Sequence, residues 1–273
     1  MKKVKNEMAL LEHLEELRKR LLISAIGLLV TTVVCFFYVT PLRELLTRPA
    51  GDMQLIYLTP PEALMANIRI AFIGGVVLAM PVIFSQIILF ISPGLYKNEK
   101  KFIYPTVLAM MFLFALGLTF AYYTVLPFAI RFFLTFETET LAPMFTISNY
   151  LSFATNFLFA FGFVFQLPLV FLFLGKLNLV SAPFLRKSRK YALLVIVILS
   201  AVITPPDVFS QILMSIPLIL LFEIGILLVA LVQRGKKKEA KAEVIEVVEA
   251  EEKEIEVVEE AEAPEDENEN RDS

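Results

Sequence analysis

The sequence predicts an all-α integral membrane protein, with six transmembrane helices in a bent, concave bundle and both termini in the cytoplasm. Three observations lead there. Hydrophobic residues make up 57% of the 273-residue chain and charged residues 19%, too apolar and too charge-poor for an ordinary soluble domain. Six apolar runs follow a charged N-terminus, and only the last contains a fully charged side chain, Glu223. The Lys and Arg residues divide 21 against 4 between the two sides those runs define, and the positive-inside rule assigns the richer side to the cytoplasm.

Three regions follow in chain order: a cytoplasmic segment 1–20, a six-span domain 21–232 and a charged tail 233–273. In the first, Leu10, Leu14, Leu17 and Leu21 recur at helical spacing with Glu12, Glu15, Glu16, Arg18, Lys19 and Arg20 on the other faces, the pattern of an interfacial amphipathic helix. Glu15 with Lys19 and Glu16 with Arg20 fall at i,i+4 spacing, worth about 0.2–0.5 kcal/mol per exposed pair. The run 21–40 is of spanning length without a small-residue cleavage site after it, so it reads as a retained helix rather than a signal peptide. In the tail, 16 of the chain's 28 acidic residues crowd into 239–272, a composition that reads as disordered or transiently helical.

The later runs are 70–92, 102–130, 147–175, 191–204 and 208–232. The fifth is short, reaching only about 21 Å against a hydrocarbon core of about 30 Å, and it is kept as a span because the charge pattern requires an even number of crossings. The outer loop 41–69 carries Pro41, Pro49, Pro60 and Pro61, which predict an ordered cap with room for a short helix. Pro81, Pro168 and Pro217 lie inside spans, where each frees a carbonyl and bends its helix. Eight tyrosines fall near span ends, as interfacial rings do.

Chemistry-bearing residues are few. A lone Cys35 and a lone His13 leave no disulfide framework and no metal site, and no buried nucleophile can be paired with a base, so no enzyme, metal or cofactor is expected. Gln86, Asn156, Gln166 and Gln211 read mainly as packing hydrogen bonds within spans. Glu223 must face protein or water, or be protonated, since an ionised acid in mid-bilayer costs about 2.5–3.5 kcal/mol. Asp207, in the tight turn TPPD, suits capping of the sixth helix. These polar groups leave open a multi-pass small-solute or ion transporter as an alternative.

The stretch FISPGLYKNEKK, from Phe90 to Lys101, puts one acid, Glu99, among three lysines between two apolar runs. Glu99 either balances Lys100 and Lys101 or holds a cationic guest. A carboxylate accepts a guanidinium bidentately whereas lysine offers it a point charge, so one Glu can prefer Arg.

HLEELRKRL (13–21), FISPGLYKNEK, YLSFATNFLFAFGFVFQLPL in the fourth span, TPPDVFSQ and FEIG together resemble the TatC family, the receptor subunits of twin-arginine protein translocases. The resemblance covers residues 10–232. It implies a receptor in the cytoplasmic (inner) cell membrane that binds twin-arginine signal peptides of folded proteins and exports them using the proton-motive force, without nucleotide, cofactor or nucleic acid. It carries over Glu99, Phe90, Glu16 and Arg18 as signal-binding residues, and Pro49, Asp207 and Glu223 as positions with structural or partner-contact duties. TatA-type and TatB-type single-span subunits are the implied partners in an oligomeric complex within the lipid bilayer, with the fifth and sixth spans as the place to look for them. At Gln166 the sequence departs from the pattern, since many relatives carry a glutamate there; an amide keeps the hydrogen bonding and loses the charge.

Overall fold

Apolar runs of this length fold as helices because a membrane interior leaves each backbone N–H and C=O only its own helix as a partner. The computed structural model describes residues 2–51, 53, 55–91, 103–136, 144–203 and 208–262, with side chains placed within residues 12–235. Ten α-helices are described: α1 (Lys2–Phe37), α2 (Val39–Thr47), α3 (Pro60–Ile91), α4 (Ile103–Phe120), α5 (Leu126–Leu134), α6 (Ile147–Val164), α7 (Leu167–Lys176), α8 (Ala182–Lys187), α9 (Arg189–Ile203) and α10 (Val208–Glu262). Five stretches are long and apolar enough to cross a membrane: Glu12–Phe37, Pro60–Ile91, Tyr104–Leu134, Ile147–Lys176 and Val208–Gly235. The expected fifth run is α9, whose 15 residues fall short of that length.

α1 lies antiparallel along α3, and small residues let the two backbones approach. A Cβ on Gly75 would sit 2.6 Å from the Thr32 Cα, and the Thr31 hydroxyl donates to the Gly75 carbonyl at 2.8 Å. Gly74 faces Cys35 and Gly27 faces Val82 along the same seam. Close packing of this kind holds helices together where lipid removes the hydrophobic drive between them. Of the N-terminal leucine stripe, Leu14 and Leu21 are exposed, as the surface of an interfacial helix would be, and Leu17 is half-buried.

Two of the expected single spans are composite. The third runs through α4, a π-helical turn at Ala121–Val125, and α5, which starts with Pro127 in its first turn. The fourth breaks at Phe165–Gln166, between α6 and α7, where Pro168 in the first turn of α7 has no N–H for the preceding ladder. Pro81 and Pro217, by contrast, stay within α3 and α10 without dividing them. α7 packs on α10 where Gly225 faces the Phe171 ring and Gly175 faces Val229. The core these helices share includes the fully buried Ile70, Leu126, Leu151, Phe157, Phe161 and Met214.

At the end of the bundle where α1 stops, the loops form an ordered cap. α2 and a 3-10 turn, Arg48–Ala50, follow α1 directly, and Pro49 sits in that turn. Two tyrosines expected merely to lie at an interface instead pin α2: the Tyr122 hydroxyl donates to the Leu45 carbonyl at 2.7 Å and Tyr150, itself buried, donates to the Leu46 carbonyl at 2.8 Å. Leu55–Ile56 pairs in parallel with Phe145–Thr146, and Arg69 donates to the Ser148 carbonyl and the Ser152 hydroxyl.

α9 is held to α10 by polar contacts. Arg189 Nη2 donates to Glu223 Oε2 at 2.7 Å, the Gln211 amide donates to the Val197 carbonyl at 3.2 Å, and the Ser215 and Ser200 hydroxyls lie 3.1 Å apart. Glu223 is therefore an ion-paired acid rather than an isolated one.

Two predictions follow from these contacts. Gly75→Ala is expected to destabilise the chain by roughly 1–3 kcal/mol, the usual cost of overpacking, read as a lower unfolding midpoint of the purified protein in detergent; an unchanged midpoint would mean α1 yields freely. Arg189→Ala should strand Glu223 at a cost of up to about 2.5 kcal/mol, and adding Glu223→Gln should restore most of the lost midpoint. Equal loss in the single and double variants would show that the ion pair contributes nothing.

Candidate functional site

The N-terminal half of α1 and the C-terminal end of α3 bring charge and aromatic surface together. His13, Glu16 and Arg20 succeed one another at i, i+3 and i+7, so they share a face of α1, while Gln86 and Phe90 share a face of α3 at i,i+4. Arg20 bridges the two helices. Its Nη2 donates to Glu16 Oε1 at 3.2 Å and its Nη1 donates to Gln86 Oε1 at 3.2 Å. One turn further out, the Phe90 ring stacks on the His13 imidazole, with centroids 4.5 Å apart and planes 20° from parallel.

The pair is half-buried, with side-chain exposures of 25% for Arg20 and 28% for Glu16, so water screens it only in part. Glu16 is held through one oxygen. Among the described residues Oε2 has no hydrogen-bond partner, and Arg20 Nε is buried without one. A carboxylate accepts through both oxygens, so Glu16 can take a further cationic donor while Arg20 keeps it oriented. Arg18 points elsewhere: it is exposed and makes no ion pair among the described residues. The second pair expected on this helix, Glu15 with Lys19, does not form among the described residues either.

Glu16 and Phe90 thus meet at one junction, and Arg18 lies on the adjoining exposed face of α1. Glu99, in the segment that follows α3, and Asp207, between α9 and α10, both lie outside the described residues. Pro49 belongs to the cap at the other end of α1, and Glu223 pairs with Arg189. Gln166, 7% exposed, sits at the α6–α7 break, where its Nε2 donates to the Met110 carbonyl at 3.0 Å and approaches the Gly162 carbonyl at 3.5 Å. Its Oε1 is buried without a partner. A carboxylate facing the Met110 carbonyl could hold that contact only when protonated, since an ionised acid has no hydrogen to donate; the amide supplies the donor at any pH.

Sequence alone gives His13, Gln86 and Arg20 other duties: His13 belongs to the family-like HLEELRKRL stretch and lacks companions for a metal site, Gln86 reads as a packing group or the lining of a transport path, and Arg20 as the i,i+4 partner of Glu16. The i,i+4 spacing of Gln86 and Phe90, set against the His13, Glu16, Arg20 face, is the signal that could have grouped them.

Comparison with known proteins identifies the family. A family profile for the Sec-independent protein translocase protein (TatC) matches residues 12–217. The chain is 44% identical over 239 residues to the Sec-independent protein translocase protein TatC of Carboxydothermus hydrogenoformans, covering 86% of this chain and 97% of that protein. It is 40% identical to the Aquifex aeolicus protein of the same name, over 86% of this chain and all of the relative. A crystal structure of the twin-arginine translocase receptor TatC superposes with a TM-score of 0.74 at 38% identity, covering 81% of this chain and 99% of that one. With a family match across most of its length and relatives aligned nearly end to end, the chain belongs to the TatC family of Sec-independent protein translocase proteins.

Proposed function

We propose that this chain is the receptor component of a twin-arginine protein translocase, binding the paired-arginine signal peptides of folded proteins at its cytoplasmic face and organising their export by the proton-motive force. The observation that carries this reading is the junction of α1 and α3, where Glu16 offers a free carboxylate oxygen beside the Phe90 ring and immediately ahead of the segment bearing Glu99. A visiting pair of guanidiniums then has two acids to share, Glu16 Oε2 and Glu99, and Phe90 with His13 offers apolar and aromatic surface to the rest of the signal. Arg18, exposed on the next face, would repel misplaced positive charge and so favour one register of the peptide. Membership of a protein translocase family leaves the small-solute transporter without support.

We read α9 as a sixth, short crossing, which puts both termini and the Glu16 junction on one side. The 21 against 4 division of basic residues supports the cytoplasm as that side. A crossing of about 22 Å is shorter than the hydrocarbon core, and α9 leaves Leu194, Ile198 and Val202 exposed. That surface, with the start of α10, fits the single-span TatA-type and TatB-type subunits, while Pro49, Gln166, Asp207 and Glu223 serve the frame that positions it. A crosslinking scan along α9 that captures no single-span subunit would remove this contact.

The deciding experiment is co-purification of the chain with a twin-arginine signal and with a twin-lysine control. Loss of one charged hydrogen bond costs about 1.5–3 kcal/mol, so Glu99→Ala and Glu16→Gln should each weaken capture of the twin-arginine signal by about tenfold or more and leave the weak twin-lysine signal unchanged. Undiminished capture by Glu99→Ala would remove that residue from the site.

A further inference from the structure

The turn after α7, helix α8 and the α10 segment at Gln233 enclose a second polar site, separate from the α1–α3 junction. It is a cleft of about 470 Å³ whose lining includes Asn178, Ser181, Arg186, Gln233 and Arg234. That volume lies in the range of small-ligand sites. Among the described residues no carboxylate contributes to the lining. Gln233 rivets the walls together: its Nε2 donates to the Val180 carbonyl at 3.1 Å and its Oε1 accepts from the Ala182 N–H at 3.1 Å. Asn178 turns the chain into the cleft with a left-handed φ of 58°, a conformation asparagine tolerates. The shape is therefore fixed by the bonds of the Gln233 side-chain amide to the backbone, leaving the charged side chains to receive a ligand.

Arg186 comes from α8 and Arg234 from α10, so two guanidiniums reach the cleft from different walls. Both are exposed, and neither makes an ion pair or hydrogen bond among the described residues. Two unpaired guanidiniums with amide and hydroxyl donors beside them match the oxygens of a phosphate, which accept from the planar fork of N–H donors that each Arg presents. The level matters as well. The apolar run of α10 ends at Val232, so Arg234 stands where hydrocarbon gives way to headgroups. Basic pockets between helices at that level suit anionic headgroups.

We propose that this cleft binds the phosphodiester of an anionic membrane lipid, holding the α8 turn against α10. The full-length chain would be purified in detergent and titrated with phosphatidylglycerol or phosphatidylcholine, with bound lipid counted by native mass spectrometry. Preference for phosphatidylglycerol should fall about twenty-fivefold in R186Q/R234Q, from roughly fivefold per arginine near a membrane surface, and should be unchanged in R43Q/R131Q, which removes equal charge from the other end of the bundle. Gln233→Leu, which keeps both charges and breaks the rivet, should also lower the preference. Full preference in R186Q/R234Q, an equal loss in R43Q/R131Q, or no effect of Gln233→Leu would each overturn the proposal. Displacement of phosphatidylglycerol by millimolar inorganic phosphate, with phosphate itself retained, would assign the cleft to a free anion and overturn the lipid.

Discussion

The close approach of α1 to α3 is the constraint on which the candidate site depends. Lipid tails are as apolar as leucine, so the two helices gain little by hiding side chains from each other and must gain by fit. Gly75 supplies the fit by having no Cβ where Thr32 passes, and Thr31 adds a hydroxyl bond to the same residue. Once that point is fixed, the antiparallel register sets the rest of the seam: Gly27 faces Val82, Arg20 reaches Gln86, and His13 stacks on Phe90. A helix in the wrong register would separate Glu16 from Phe90 without breaking a single backbone hydrogen bond.

The fold was legible in the sequence where length and apolarity decide it. The long runs became helices, and the Glu16–Arg20 spacing became a real pair because both residues lie on the face turned toward α3. Glu15 and Lys19 have the same spacing on another face and remain apart among the described residues, which shows that spacing permits a pair and tertiary placement selects it. The composite spans were less legible: Pro168 announced a bend, but the break at Gln166 needs the Met110 carbonyl of a neighbouring helix to receive its side chain. Of the candidate site, Glu16 and Phe90 were nameable from family resemblance, whereas the bridging Arg20 and Gln86 could be recognised only when two distant segments were laid side by side.

Several polar side chains within the apolar helices bond across to a neighbouring helix. Glu223 has a cation on the next helix, Gln211 and Gln166 donate to carbonyls of neighbouring helices, and Ser215 meets Ser200. Each bond crosses between helices, so the cost of placing a polar group away from water is recovered as specificity of pairing between segments. The carbonyl oxygen of Gln166 and the Thr32 hydroxyl, by contrast, are buried without a hydrogen-bond partner among the described residues.

The two-residue ladder between Leu55–Ile56 and Phe145–Thr146 has a consequence for how the protein is made. Its strands are separated in the chain by all of α3, α4 and α5, so during synthesis the first strand must wait for three later helices before its partner emerges. Until then α2 also lacks the Tyr122 and Tyr150 hydroxyls that anchor it. The cap is thus a late step in biogenesis, closing only after the fourth apolar run begins to enter the bilayer, and it acts as a seal on a bundle whose first half has already been inserted.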